Sequence, residues 1–178
     1  MQVYLYVDRL MNESESIYIE FMDTMFGRPK SIRLLREDIL CFIEMREIGL
    51  RQILIYMGYL YKYLRDEDRA DYISFVDLGN LSTCPFGKDG RDISQHIVEQ
   101  LEAVCRDSIC LIPYNTGYHW ILTIVIEDKN MIYLLDSMSN RNRDDVWKIM
   151  VTNGVKIYNV SKGITKVPDF KQLTGNLK

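Results

Sequence analysis

The sequence predicts an α+β fold, with a mixed or antiparallel central sheet flanked by helices. Two observations predict it. Three apolar runs follow one another between Ile109 and Leu135, and the segments on either side repeat apolar residues at helical spacing. A third observation narrows the class: no GxGxxG or Walker pattern is present, so a nucleotide-binding α/β fold has no support. At 178 residues the chain suits one domain, long enough to bury roughly 70% of its unfolded surface.

Met1–Lys30 is the least regular stretch and is set apart as a poorly defined N-terminal segment (residues 1–30). Alternation of Val3, Leu5 and Val7 predicts a strand over Gln2–Val7, and Ile17, Phe21 and Met25 recur at helical spacing behind Ser14 or Ser16. Gly27-Arg28-Pro29 ends that segment. From Ser31 a helix is predicted through Leu34, Leu35, Ile39, Phe42, Ile43 and Met45, broken near Gly49. A stronger one follows through Leu50, Ile53, Leu54, Met57, Leu60, Tyr61 and Leu64. It is apolar enough to suggest packing on more than one side, and it ends in the solvated run Arg65–Arg69.

Tyr72–Leu78 has strand composition, and Leu81–Gly90 reads as a loop carrying Cys84. Asp92 is positioned to cap a helix buried through Ile93, Ile97, Leu101, Val104 and Cys105, with His96 one step off the stripe. After the three strands, Ser139–Asp144 turns the chain. A helix through Val146, Trp147, Met150 and Val151 is expected to close at Asn153-Gly154. Val155–Val160 reads as a strand and Ser161–Lys178 as loop.

Composition excludes several functions. The net charge of −3 supplies no basic field for phosphates, so nucleic acid is not an expected partner. No run approaches the roughly 18–20 apolar residues of a membrane span, and no signal-type leader opens the chain. An intracellular protein, nuclear or cytoplasmic, is expected. Cys41, Cys84, Cys105 and Cys110 form no CxxC pair, and His96 and His119 are the only histidines. Zinc spacing is therefore absent, no metal or cofactor is expected, and the thiols read as reduced and mostly buried. Cys84 has no neighbouring cation to activate it as a nucleophile.

The stretch with chemistry in it is Ile109–Ser137, ICLIPYNTGYHWILTIVIEDKNMIYLLDS. Only Glu127–Asn130 separates its last two runs, so these pair as an antiparallel hairpin. Folding about Asp128 or Lys129 brings Asp136 opposite Trp120–Leu122, beside His119 at the same end of the hairpin. A carboxylate beside a histidine there is the orienter-and-base part of a nucleophilic triad. It equally describes a buried histidine hydrogen-bonded to a structural aspartate.

The same residues resemble a known family. Ile112-Pro113, His119-Trp120 and Leu135-Asp136-Ser137, with about seventeen residues from His to Asp, resemble the catalytic segment of the ubiquitin-like-protein-specific cysteine proteases. The likeness is to the desumoylating, sentrin-protease type, in particular its plant and transposon-associated branch. Ile53-Leu54-Ile55-Tyr56-Met57 resembles a helix upstream in that family, so residues 31–178 read as a partial catalytic domain. The resemblance implies a papain-like α+β fold that hydrolyses an amide after a Gly-Gly tail through a His-Asp-Cys triad, with a ubiquitin-like modifier or its conjugate as partner. By position it makes His119 the base, Asp136 the orienter and Trp120 the wall of a channel admitting only glycine.

The sequence departs from the pattern in three places. Arg46-Glu47-Ile48-Gly49 stands where the family has a second channel tryptophan. No cysteine follows Asp136. Gln172-Leu173-Thr174-Gly175 has a Gln and a Gly at suitable spacing, which makes Gln172 a candidate oxyanion donor and puts Lys178 in the nucleophile's place. Because Gln172 comes early for that alignment, truncation ahead of the Gln and Cys is the expectation, with a Cys-to-Lys change the alternative. Either way this sequence holds no nucleophile and is expected to be inactive alone. The alternative function is a non-catalytic protein-binding module derived from the same fold.

Overall fold

The computed structural model describes residues 7, 9, 11–44, 46–77, 93–104, 109–117, 119–138 and 145–174. The chain forms two compact units, Met1–Glu67 and Asp68–Lys178.

The first unit begins with a hairpin, β1 (Ser16–Phe21) and β2 (Lys30–Leu35), antiparallel in register from Ser16 opposite Leu35 to Phe21 opposite Lys30. Both strands differ from the helices expected at these positions. Ile17, Ile19 and Phe21 fit a helical spacing only in part. As SIYIEF they also alternate along a strand of β-favouring residues, and a partner strand at the right distance decides the outcome. The hairpin runs across position 30. A single helical turn, α1 (Asp23–Phe26), links its strands and ends at Gly27, whose φ of 68° is the left-handed conformation glycine adopts freely.

α2 (Arg36–Ile43) is the surviving part of the helix expected from Ser31. α3 (Leu50–Asp66) matches its expected span, but it is packed on one side. Leu54, Met57 and Tyr61 are buried, while Tyr56, Tyr59 and Tyr63 are exposed. The buried side carries Gly58, where a Cβ would lie 2.8 Å from the Phe21 ring, and Tyr61, whose hydroxyl donates to Thr24 Oγ1 at 2.8 Å. Gln2–Val7, expected as a strand, lies outside the described residues except for Val7, which is helical.

The second unit is built on a five-stranded mixed sheet in the order β3-β4-β5-β6-β7. Its strands are β3 (Ile73–Phe75), β4 (Ile109–Asn115), β5 (Trp120–Ile126), β6 (Met131–Asp136) and β7 (Asp169–Thr174). The central pairs are antiparallel, while β3 on β4 and β7 on β6 are parallel. Side chains alternate between a buried and a half-buried face along β4 and β5.

Two helices, α4 (Ile93–Val104) and α5 (Asp145–Ser161), cover the buried face. Ile97, Leu101, Trp147, Val151, Val155 and Tyr158 pack there with Ile112, Ile121, Val125 and Ile132. Trp147 stacks on Tyr114 at 3.9 Å between ring centres and donates its Nε1–H to Thr123 Oγ1 at 2.9 Å.

The C-terminal expectations are corrected here. α5 continues through Asn153-Gly154 to Ser161 and takes in the strand expected at Val155–Val160. Gly154 does not end the helix; it lets α4 approach, since a Cβ there would lie 2.9 Å from Ile97 Cγ2 and 3.0 Å from the Ser94 carbonyl oxygen. Ser161–Lys178 is not all loop, because β7 adds the last strand of the sheet. The expectation of four reduced thiols also fails: Cys110 is disulfide-bonded. Cys41 is free, and Cys84 and Cys105 lie outside the described residues. Asp92, the Leu81–Gly90 loop and the Ser139–Asp144 turn lie outside them too. No described helix is long and apolar enough to cross a membrane.

Candidate active site

The site forms at the end of the sheet where β4 ends, β5 begins and β6 ends. β5 and β6 pair from Ile126 opposite Met131 to Leu122 opposite Leu135. That register carries Asp136 one step further, to the level of Ile121, as the expected hairpin requires. His119 lies just before β5, in the turn that follows β4. Its Nε2 is 2.8 Å from Asp136 Oδ1, with both side chains about four-fifths buried at 21% and 16% exposure.

The carboxylate is held from its own chain as well, since the Met138 backbone N–H donates to the same Oδ1 at 2.8 Å. Its orientation therefore does not depend on the histidine. A part-buried carboxyl so placed keeps hydrogen-bond donors it would otherwise find in water.

The turn that carries His119 is specified by its residues. Asn115 is the last residue of β4 and pairs with Trp120. Its Oδ1 accepts the Gly117 N–H at 2.8 Å, an Asx-type turn, and Gly117 takes φ of 90°. Thr116 and His119 close the turn by two bonds. The Thr116 N–H donates to the His119 carbonyl at 3.0 Å, and the His119 N–H donates to Thr116 Oγ1 at 3.2 Å. Thr116 Oγ1 also lies 3.1 Å from His119 Nδ1, a contact the sequence reading missed. Its signal was the Asn-Thr-Gly step three residues before the histidine.

Trp120 opens β5 next to His119 and is half-buried. Gln172 is not brought to the pair. It lies in β7 opposite Leu134, two residues before Thr174 reaches the level of Asp136. Two residues of strand are roughly 6.6 Å, and β7 lies two strand spacings from β5, roughly 9.6 Å.

This geometry is an α+β fold whose mixed sheet ends in a part-buried histidine–carboxylate pair, with one imidazole nitrogen turned to the carboxylate. Residues 85–167 match the family model of the Ulp1 protease family, C-terminal catalytic domain. Solved structures agree on the fold. The C-terminal Ulp1 protease domain in complex with Smt3, the yeast ortholog of SUMO, is 16% identical. It superposes with a TM-score of 0.55 over 97% of this chain and 73% of its own. A de-sumoylating protease is 15% identical, with a TM-score of 0.61 over 92% of this chain and 64% of its own. The SUMO protease Ulp1 with its catalytic cysteine oxidised to a sulfinic acid is 16% identical, with a TM-score of 0.57. No curated protein matches the chain by sequence.

Proposed function

We propose that residues 31–178 hold part of a cysteine peptidase domain acting on a ubiquitin-like modifier, with His119 as base and Asp136 as its orienter. The observation that carries the reading is the 2.8 Å contact of His119 Nε2 with Asp136 Oδ1. It commits the Nε2 proton to the carboxylate and leaves the Nδ1 lone pair to take a proton from a thiol. Given a cysteine, the thiol proton would pass to Nδ1 and the thiolate would add to the carbonyl carbon of the second glycine of the tail. The histidine then returns the proton to the departing amine, and water releases the acyl group from sulfur.

Trp120, beside the base, is the wall of the channel that admits the glycines. Gln172, in β7 opposite Leu134, stays the candidate oxyanion donor of this reading. No cysteine follows Asp136 in this sequence, so these residues supply a base and an orienter without the sulfur they serve. The 178-residue chain is therefore expected to bind a modifier without cleaving it.

The test measures two quantities on the same protein: binding of a SUMO-type modifier by calorimetry, and release of a fluorophore from the modifier's C-terminal amide. Binding without turnover is expected. Turnover would overturn the assignment of an absent nucleophile, and failure to bind any ubiquitin-like modifier would overturn the partner.

A further inference from the structure

The Thr116 hydroxyl has one proton, and three groups of His119 lie within hydrogen-bond reach of it. It accepts the His119 backbone N–H, and it lies 3.1 Å from both the His119 carbonyl oxygen and His119 Nδ1. The proton can go to only one of the last two. The carbonyl already accepts the Thr116 backbone N–H at 3.0 Å. Nδ1 has no other donor among the described residues, because the ring's second nitrogen is the one on Asp136. As a carboxylate Asp136 only accepts, so a neutral imidazole beside it carries its proton on Nε2 and a lone pair on Nδ1. With the ring neutral, counting donors against acceptors among these contacts favours the arrangement in which Thr116 Oγ1–H donates to Nδ1.

We propose that Thr116 is a positioning residue of this site: its hydroxyl donates to His119 Nδ1, fixing the ring at both nitrogens and covering the basic one until a nucleophile displaces it. The role rests on reading His119 as the base. The imidazole is pinned by Asp136 on one edge and by Thr116 on the other, so its plane is set before any substrate arrives. A thiol approaching Nδ1 must take over the hydroxyl's hydrogen bond, and the hydroxyl proton then turns to the carbonyl 3.1 Å away. Preorganisation of this kind costs nothing at the moment of reaction. It also keeps the base nitrogen satisfied in a site about four-fifths buried, where an unpaired lone pair would be penalised.

Ring-nitrogen NMR on the histidine-labelled full chain tests this without requiring activity. With only two histidines, His119→Gln assigns the signals. The expected result is a neutral His119 ring with its proton on Nε2 and an Nδ1 shifted in the direction of a hydrogen-bond acceptor. Thr116→Ser should preserve that signature, and Thr116→Val should move Nδ1 to the value of an acceptor without a donor while Nε2 stays on Asp136.

A wild-type ring carrying its proton on Nδ1 would overturn the proposal, since Thr116 would then be accepting. So would a Thr116→Val spectrum identical to wild type. The wild-type measurement decides the matter by itself if Thr116→Val loses the turn, which loss of hydrogen-exchange protection at the His119 amide would reveal. Failure to bind a modifier leaves this readout untouched, so the catalytic reading and the role of Thr116 fail separately.

Discussion

At the scale of single residues the site is a matter of where protons are allowed to sit. Asp136 Oδ1 lies 2.8 Å from His119 Nε2 and accepts the Met138 N–H, also at 2.8 Å. Replacing Asp136 with Ala removes the acceptor that selects the Nε2 tautomer. In a form of the protein that carries a cysteine in the nucleophile's place, turnover is expected to fall on the order of 10⁴-fold, with substrate binding little changed. Steady-state kinetics on the modifier amide separates the two, and a fall in binding with unchanged turnover would count against the orienter role.

A second residue-scale prediction concerns the turn. Gly117 has φ of 90°, and a Cβ there would meet nothing within 4 Å. Gly117→Ala is therefore a pure backbone penalty, expected to cost about 1–2 kcal/mol in urea unfolding. The His–Asp pairing was legible from sequence because the short Glu127–Asn130 connection leaves little freedom in the hairpin register, and a one-residue slip would turn every side chain over. Thr116 was not legible, because its role depends on a four-residue turn in which Gly117 has positive φ.

At the scale of elements, packing decides what local pattern leaves open. Asn153-Gly154 reads as a helix terminator, yet α5 runs through it, and the missing Cβ at Gly154 makes room for Ile97 and Ser94 of α4. Gly154→Ala would gain helix propensity of about 1 kcal/mol. Against that, its methyl would press on Ile97 Cγ2 and the Ser94 carbonyl, a rigid branch and a backbone atom. Overpacking of about 1–3 kcal/mol should win, so a lower unfolding midpoint is expected; a stabilised variant would contradict the packing argument.

Trp147→Phe is expected to be costlier, about 2–3 kcal/mol. The substitution removes part of the stack on Tyr114 and leaves the buried Thr123 hydroxyl without the indole N–H. Thermal or urea unfolding monitored by far-ultraviolet circular dichroism measures both variants. β7 escaped the sequence reading for the opposite reason. DFKQLT is an edge strand with few apolar residues, and edges carry the weakest strand signal because polar residues keep them from pairing further.

At the scale of the whole second unit, the far end of the sheet holds a polar cluster that sets how stability responds to pH. The Tyr158 hydroxyl donates to Glu127 Oε1 at 3.0 Å, and Lys162 pairs with the same oxygen. Asn159 reaches Asn130 at 2.6 Å, so the end of α5 is tied to the β5–β6 turn. Burial pushes the Tyr158 phenol above its usual range, and the negative Glu127 beside it adds to the shift. Burial pulls Lys162 down, but its hydrogen bonds to Glu127 and Tyr158 and their attraction outweigh that, and the ammonium also titrates higher than usual.

Both groups hold a proton more tightly folded than unfolded. Their contribution is therefore complete below the unfolded values, roughly pH 10 for tyrosine and 10.4 for lysine, and is lost as pH rises through the folded ones. The urea midpoint is expected to fall from about pH 10 upward, more steeply in the wild type than in Tyr158→Phe, which has no phenol to ionise. Comparing the two proteins removes the contribution of the other tyrosines and lysines, which titrate alike in both. Parallel curves for the two proteins across that window would show that the cluster does not couple protonation to the docking of α5.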